Sequence, residues 1–296
     1  MKSRIFKGSG VALVTPFNRK NEVDFDELEK LINLHLEKST DAIIVCGTTG
    51  EASTLSFTEK LRIIDCAVHT VNHAIPVIAG TGSNDTELSI HLTRKAEFLG
   101  VDGTLQVTPY YNKTTQKGLI KHFKAISENS KLPIILYNVP SRTGLNIEVS
   151  TLKELSKDPK IVAIKEASGN IVYFAKAMAE CGKDLDFYSG DDHTIVSMMA
   201  LGAIGVISVL ANILPLEVHN ICEACFNMDY TTASTLQLQY IDLISALFSE
   251  TNPIPIKEAC KLMRLNVGNC RLPLCEMSEQ NLIMLKRVLW THNLIF

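Results

Sequence analysis

The sequence has little of what marks a nucleic-acid-binding, membrane-inserted or nucleotide-binding protein. Its 29 Lys and Arg are outnumbered by 32 Asp and Glu, and no basic cluster offers a field for polyanions. No uninterrupted apolar stretch reaches the length of a membrane span or a signal peptide, so we expect a cytoplasmic protein without nucleic-acid or membrane partners. Walker and dinucleotide-binding glycine patterns are also missing, which argues against a nucleotide cofactor.

Signs of a metal centre or a disulfide framework are equally sparse. The eight cysteines lie in apolar segments, as buried thiols of a reducing compartment do. One Cys-x-x-Cys pair, Cys222 and Cys225, follows His219, but no second pair accompanies it and the segment has a helical pattern, which favours a structural role. The polar run 191–193 is better explained as a helix start. We therefore expect no metal and no cofactor.

What the chain does contain is a regular alternation of short apolar runs with amphipathic segments. Eight β-rich runs, each bounded by Gly, Pro, Asn or Asp, are predicted as strands at 10–17, 42–51, 76–83, 103–111, 133–140, 161–168, 186–192 and 205–212. Helical periodicity fills the intervals, with helix-start signals at Asp24, Ser56 and Asn84. Eight strands alternating with helices predict an α/β fold, a closed (β/α)8 TIM barrel, rather than a six-stranded open sheet.

After the eighth strand the pattern becomes entirely helical. Apolar periodicity covers 236–248, two prolines interrupt it, helical periodicity returns at 257–265, and Ser278 can start a last helix. We therefore predict a barrel of residues 1–224 that carries the active site and a C-terminal helical domain of residues 225–296.

Lys165 stands out among the polar residues near the carboxyl ends of the predicted strands, where barrels of this type place their active sites. It follows four apolar residues of the sixth strand. A buried ammonium without a carboxylate is costly, which favours the neutral amine that attacks a ketone. Glu166 is the obvious alternative partner, but adjacent strand residues face opposite sides. Lys165 is therefore a candidate nucleophile for imine formation.

Other strand ends carry hydroxyl groups and one guanidinium. Tyr137, Tyr111 and Thr48 could move protons without placing a charge beside the lysine, although rim tyrosines and helix-capping threonines are common structural features. Arg142 could hold a carboxylate through its planar fork or could be a solvated loop residue. Thr49, in a Gly-flanked turn, could help cradle a second carboxylate.

Five motifs occur in a fixed order along the chain: GTTGE (47–51), TPYYN (108–112), YNVPSRTG (137–144), KEASG (165–169) and GDD (190–192). Together they resemble the dihydrodipicolinate synthase family of the class I pyruvate-dependent aldolases, and the resemblance covers nearly the whole chain. It implies that Lys165 forms an imine with pyruvate and that Thr48, Tyr137 and Tyr111 make a proton relay. It also implies a homotetramer, with Tyr111 supplied by a neighbouring subunit.

The same resemblance implies the substrate contacts. Thr49 and the Gly190 region would position substrate, Arg142 would hold the carboxylate of L-aspartate 4-semialdehyde, and the backbone carbonyl of Ile207 would lie near the lysine. Two alternatives remain open. A sibling aldolase that cleaves N-acetylneuraminate or a 2-keto-3-deoxy sugar acid would share the lysine and tyrosine, and a non-catalytic 2-oxo acid sensor would share the barrel.

Regulation by lysine is a further expectation from the resemblance. Some bacterial members of the family are inhibited by lysine at a cleft between subunits, where histidines follow the GTTGE motif. The matching positions here look like Phe57 and Lys60. A cationic Lys60 should disfavour a cationic inhibitor, so we expect weak or absent lysine feedback.

Overall fold

The computed structural model describes Lys2 and residues 4–296, and its centre is a closed barrel of eight parallel strands. The strands follow one another around the barrel in chain order, and the last pairs with the first. They are β1 Gly8–Ala12, β2 Ala42–Val45, β3 Val77–Gly80, β4 Gly103–Val107, β5 Ile134–Asn138, β6 Ile161–Glu166, β7 Asp186–Ser189 and β8 Gly205–Ser208. The predicted α/β barrel is confirmed.

The predicted strands extend too far at their carboxyl ends. Residues 42–51 were predicted as one strand, but β2 ends at Val45 because Cys46 and Glu51 both have a φ of 55°, which is incompatible with extended backbone. The first strand starts earlier than predicted, at Gly8 rather than at residue 10.

Helices cover the outside of the barrel and continue beyond its last strand. Those between strands are α1 Phe25–Glu37, α2 Phe57–Val71, α3 Thr86–Leu99, α4 Gln116–Glu128, α5 Pro140–Thr143, α6 Val149–Leu155, α7 Ile171–Cys181 and α8 Ile195–Ala200. After β8 come α9 Pro215–Phe226, α10 Tyr230–Gln239, α11 Ile241–Leu247, α12 Ile254–Leu262 and α13 Glu279–Thr291. Across the described part of the chain, no helix combines the length and apolar character needed to span a bilayer.

Most of the predicted helix starts are confirmed. The Asp24 side chain caps α1, and Ser56 and Glu59 form a reciprocal capping box at α2. The start predicted at Asn84 is wrong by one residue: the Asp85 carboxylate caps α3 and accepts hydrogen bonds from two N–H groups of its first turn. Asn84 and Asp85 are neighbours and both are good N-cap residues. A carboxylate at the N-terminal end of a helix is also stabilised by the helix dipole.

Two apolar clusters lie on either side of the barrel wall. The larger one is packed between the strands and the helices, and the smaller one fills the barrel interior. In β5, Leu136 belongs to the outer cluster and Tyr137 to the inner one. Lys165 of β6 pairs in register with Tyr137 on one side and Tyr188 on the other, so its side chain shares their inward face.

The C-terminal helices differ in detail from the prediction. The stretch 236–248 divides at Tyr240 between α10 and α11, and α12 begins earlier than predicted. Pro255 does not break α12, because it lies in the first turn, where its missing N–H is not needed. The predicted domain boundary after residue 224 falls inside α9, which packs on β1, and the division into two units stays a prediction. We call residues 227–296 the appendage.

Candidate active site

Lys165 lies near the carboxyl end of β6 with its side chain inside the barrel. It is 5% exposed, and its Nζ lies 4.5 Å from the centre of the Tyr137 ring. Within the described residues, its Nζ forms neither an ion pair nor a hydrogen bond. Glu166 faces away and accepts hydrogen bonds from Asn138 Nδ2 at 2.7 Å and from the Ser168 N–H at 2.6 Å. The expectation that Glu166 does not pair with Lys165 is confirmed.

Gly190 makes room for the Lys165 side chain. Its N–H donates to the backbone oxygen of Glu166 at 2.7 Å, which brings the end of β7 against β6. A Cβ at this position would lie 3.0 Å from both Cγ and Cε of Lys165 and 2.7 Å from Cβ of Ala167. A side chain at residue 190 would therefore clash with Ala167 and force the Lys165 side chain to shift.

The two tyrosines beside Lys165 differ in how their hydroxyl groups are used. Tyr188 donates its O–H to the backbone oxygen of Phe6 at 2.7 Å, and the two rings stack at 4.3 Å. Burial also raises the pKa of Tyr188. The Tyr137 hydroxyl has no hydrogen-bond partner among the described residues. Tyr137, which the sequence singled out, therefore has a hydroxyl group without a protein partner in the described part of the chain, whereas the hydroxyl of Tyr188, which the sequence did not single out, is bound to the backbone.

Thr48 and Thr49 lie in the turn that follows β2, here called the GTTGE turn (residues 47–51). The N–H of Glu51 donates to the Thr48 backbone oxygen at 3.0 Å, and Thr15 Oγ1 donates to the Gly50 oxygen at 2.7 Å. Thr49 is buried and Thr48 is partly exposed. The turn therefore has a fixed shape and presents adjacent hydroxyl groups at the end of the barrel where Lys165 lies.

A buried ion pair holds the GTTGE turn from the appendage side. Lys257 of α12 donates to Glu51 Oε1 at 2.9 Å, to the Thr15 oxygen at 3.0 Å and to the Asn269 oxygen at 3.0 Å. The other Glu51 oxygen accepts the Arg271 N–H at 2.8 Å. Burial lowers the pKa of Lys257, and the Glu51 carboxylate acts in the opposite direction. This pair is not predicted by the sequence, in which its one local signal is a lysine in an apolar helical stretch.

Arg142 and Thr49 are linked by Asn252, a residue that is likewise not predicted by the sequence. Arg142 is exposed on α5, and its Nη2 donates to the backbone oxygen of Asn252 at 3.1 Å. The side-chain Nδ2 of Asn252 donates to Thr49 Oγ1 at 3.0 Å. Asn252 lies between α11 and α12, where no local pattern marks it. The appendage thus reaches the mouth of the barrel.

Two predicted site residues are not joined to the others by side-chain contacts. Tyr111 follows β4 with a φ of 68°, and its side chain is 93% exposed, so it does not reach into the barrel of its own chain. Ile207 is fully buried in β8, in register with Gly10 of β1. The structure therefore brings Lys165, Tyr137 and Gly190 together but leaves Tyr111 pointing outward.

The residues considered as metal ligands have other partners or lie buried in a helix. Asp191 accepts the His193 N–H and starts a short 3-10 helix, as predicted. Cys222 and Cys225 lie buried on α9, also as predicted, and burial raises the pKa of both thiols. His219 Nδ1 lies 2.9 Å from an Asp41 oxygen.

Comparison with known proteins gives consistent similarities. Residues 5–291 match the model of the Dihydrodipicolinate synthetase family. The chain is 55% identical to the 4-hydroxy-tetrahydrodipicolinate synthase of Clostridium novyi, with 98% of this chain and 97% of the relative covered. It is 56% identical to 4-hydroxy-tetrahydrodipicolinate synthase 1 of Clostridium acetobutylicum, covering 98% of this chain and 99% of the relative.

A solved structure agrees with these sequence similarities. The chloride-inhibited dihydrodipicolinate synthase of Acinetobacter baumannii, complexed with pyruvate, superposes with a TM-score of 0.96 at 44% identity. The superposition covers 99% of this chain and 100% of that one. The similarity therefore extends over the barrel and the appendage together.

Proposed function

The chain belongs to the dihydrodipicolinate synthetase family, and from that premise we propose that it condenses pyruvate with L-aspartate 4-semialdehyde through an imine on Lys165. The product is 4-hydroxy-tetrahydrodipicolinate, in the diaminopimelate route to lysine, and the enzyme is a lyase. One observation carries the assignment of the nucleophile: Lys165 is buried against Tyr137 with no acidic partner among the described residues.

The reaction begins when the neutral Lys165 amine attacks the ketone carbon of pyruvate. Water leaves and the imine forms, and loss of a proton from the methyl carbon gives an enamine. The enamine carbon attacks the aldehyde of the semialdehyde, whose oxygen takes up a proton. The semialdehyde's amino group then attacks the imine carbon, closes the ring and releases the lysine amine. Holding both substrates at one barrel mouth makes these steps intramolecular.

Tyr137, Thr48 and Tyr111 move the protons in this proposal. The part of Tyr137 is supported by its ring beside Lys165 and by a hydroxyl group that no described residue binds. Thr48 follows β2 at the same end of the barrel. A positive φ costs conformational energy in a bulky residue such as Tyr111, and in this conformation the ring points outward. In this proposal, contact of the ring with a neighbouring subunit compensates for that cost.

The proposed assembly is a homotetramer. In a two-fold symmetric contact, each subunit that receives the partner's tyrosine also donates its own Tyr111, so both active sites are completed together. We place the activity in the cytoplasm, which the unpaired state of all eight cysteines supports.

The two substrate carboxylates have separate sites in this proposal. Thr49 and the Gly190 region hold pyruvate beside Lys165, with the Ile207 carbonyl nearby. Arg142 holds the carboxylate of the semialdehyde, which its exposed position on α5 and its planar fork support. Binding of the second substrate therefore depends on a different element from imine formation.

Incubation of the purified protein with pyruvate and L-aspartate 4-semialdehyde, followed by mass spectrometry, tests the reaction directly. We expect condensation of this pair and no cleavage of N-acetylneuraminate in a parallel incubation. Cleavage of the sugar acid alone would keep the imine mechanism and overturn the choice of acceptor.

Arg142→Ala tests the carboxylate site. We expect a raised KM for the semialdehyde with unchanged imine formation from pyruvate, because the guanidinium contacts only the second substrate. Arg287→Ala, an exposed arginine of α13, is the matched control. Unchanged use of the semialdehyde by Arg142→Ala would remove the assigned contact.

A further inference from the structure

Asn252 connects the appendage to two residues of the proposed substrate site by two different groups. Its side-chain Nδ2 donates to Thr49 Oγ1 at 3.0 Å, and its backbone oxygen accepts Arg142 Nη2 at 3.1 Å. The residue is 5% exposed. A change of side chain at this position therefore removes the contact with Thr49 and keeps the acceptor for Arg142.

The amide of Asn252 uses the Thr49 hydroxyl oxygen as an acceptor. A hydroxyl oxygen that accepts a hydrogen bond still carries its own proton, which can be donated elsewhere. Asn252 Oδ1 is buried and accepts from no donor in the described part of the chain. The amide thus makes one hydrogen bond, to Thr49, and that bond leaves the Thr49 proton free to donate.

The position of Asn252 is itself held by buried contacts. Lys257 lies five residues further along and pairs with Glu51, which is two residues after Thr49. The GTTGE turn and the segment 252–257 are therefore joined at two points. Neither can shift relative to the other without breaking a buried hydrogen bond or ion pair.

We infer that Asn252 is a positioning residue for pyruvate: its amide directs the Thr49 hydroxyl so that this hydroxyl donates to the pyruvate carboxylate. The inference rests on the proposed function, because it takes Thr49 as a pyruvate contact. It makes the appendage a functional part of the substrate site.

The kinetics of Asn252→Ala, Thr49→Val and the double variant test the inference. Loss of one neutral hydrogen bond should raise the KM for pyruvate by about three- to tenfold in Asn252→Ala. The semialdehyde KM should stay within about twofold, because the Arg142 contact uses the backbone. Asn252→Ala should add nothing in the Thr49→Val background, since it acts through that hydroxyl.

Asn252→Asp tests the direction of the bond while preserving side-chain size. A carboxylate can only accept, so the Thr49 hydroxyl must turn its proton toward residue 252 and away from pyruvate. We expect a larger rise in pyruvate KM than in Asn252→Ala. Gln237→Ala is the matched control, because Gln237 is another buried appendage amide that bonds the barrel, at the His193 oxygen and the Val196 N–H. It should lose stability and keep the pyruvate KM.

The outcomes separate the inference from the function on which it rests. An unchanged pyruvate KM in Thr49→Val would remove the proposed role of Thr49 and the inference with it. A raised KM in Thr49→Val but a normal one in Asn252→Ala or Asn252→Asp would overturn the inference alone. Equal rises in both KM values, shared by Gln237→Ala, would show a general structural effect and overturn it as well.

Discussion

Two lysines of this chain are buried beside aromatic rings, yet their surroundings differ. Lys165 Nζ lies 4.5 Å from the ring centre of Tyr137, and Lys257 Nζ lies 4.2 Å from that of Phe17. Lys257 is 1% exposed and donates three hydrogen bonds, one to Glu51 and two to backbone oxygens. Lys165 donates none among the described residues.

This difference separates the proposed nucleophile from a lysine that is buried for a structural reason. The three hydrogen bonds of Lys257 use all of its ammonium hydrogens, so its nitrogen has no open side for a ligand. Lys165 has an aromatic ring on one side and, because residue 190 is a glycine, room for its side chain on another. The structural lysine has its partners in the protein, whereas the partner of Lys165 in the proposed reaction is the substrate.

Lys165→Ala should have the largest effect of the changes that test this comparison. Loss of the nucleophile should lower activity by several orders of magnitude, as in other enzymes that form covalent intermediates. Treatment with pyruvate and borohydride should label the native chain at Lys165 and leave the variant unlabelled by mass spectrometry.

The control for that experiment is Lys257→Met, whose folded fraction should be labelled at Lys165 as in the native chain. If Lys165→Ala still gave a trapped pyruvate adduct, another residue would be the nucleophile. If Lys257→Met lost the label while folded, the two lysines would not have separate roles.

Lys257→Met should have the next largest effect, on stability. It leaves the Glu51 carboxylate buried without its cation, which costs about 3–5 kcal/mol of unfolding free energy. Urea denaturation of both proteins measures the difference. The double variant Lys257→Met/Glu51→Gln should recover part of the loss, because it no longer buries a charge. A single variant as stable as the native chain would show that the pair contributes nothing.

The two lysines also show how far the sequence predicts the site. Lys165 follows a continuous apolar strand, so its burial was predictable from local pattern, whereas its inward face is given by its register with Tyr137 and Tyr188. Lys257 is 206 positions away from Glu51 in the chain, and no local pattern brings such residues together. Asn252 is a similar case, since its contact with Thr49 spans 203 positions.

The same limit applies to the fold. Alternation of apolar runs and helices was sufficient to predict the barrel, because each strand and helix is marked by its own residues. Strand ends were placed less well, because the turn after β2 depends on left-handed conformations at Cys46 and Glu51 that neither residue type favours. One of these residues, Glu51, is also held by a contact with the distant Lys257.

His35 extends the comparison to a buried group that is kept neutral. It is fully buried, its Nδ1 lies 2.9 Å from Thr40 Oγ1, and burial lowers its pKa to about 4 from 6.5. Between about pH 4 and pH 6.5, the unfolded chain therefore binds a proton at His35 that the folded chain does not bind. The resulting stability is fully present above pH 6.5 and is lost as the pH falls toward 4.

The expected loss from His35 is about 2 kcal/mol of unfolding free energy between pH 7 and pH 5. His122, whose pKa burial also lowers to about 4, adds to it in the same window. Urea denaturation at a series of pH values measures the slope, and His35→Gln should make it shallower. Equal slopes in both proteins would show that His35 does not titrate on unfolding.

Feedback inhibition by free lysine should give the smallest effect. It involves a third lysine residue of the chain, Lys60. Phe57 stacks on His91 with ring centres 4.9 Å apart, so the ring already has a partner in the chain. Burial lowers the pKa of the half-buried Lys60, with the nearby Cys46 opposing the shift. The charged form of Lys60 repels a cationic inhibitor.

We therefore expect no half-maximal inhibition by lysine in the sub-millimolar range, measured as initial rate against lysine concentration at neutral pH. Lys60→Ala separates the two reasons for this expectation. Stronger inhibition of the variant would assign the insensitivity to the charge of Lys60, whereas unchanged insensitivity would exclude that charge and leave the stacked Phe57 as the remaining reason. Sub-millimolar inhibition of the native chain would contradict both reasons, and would show that Lys60 does not prevent free lysine from binding.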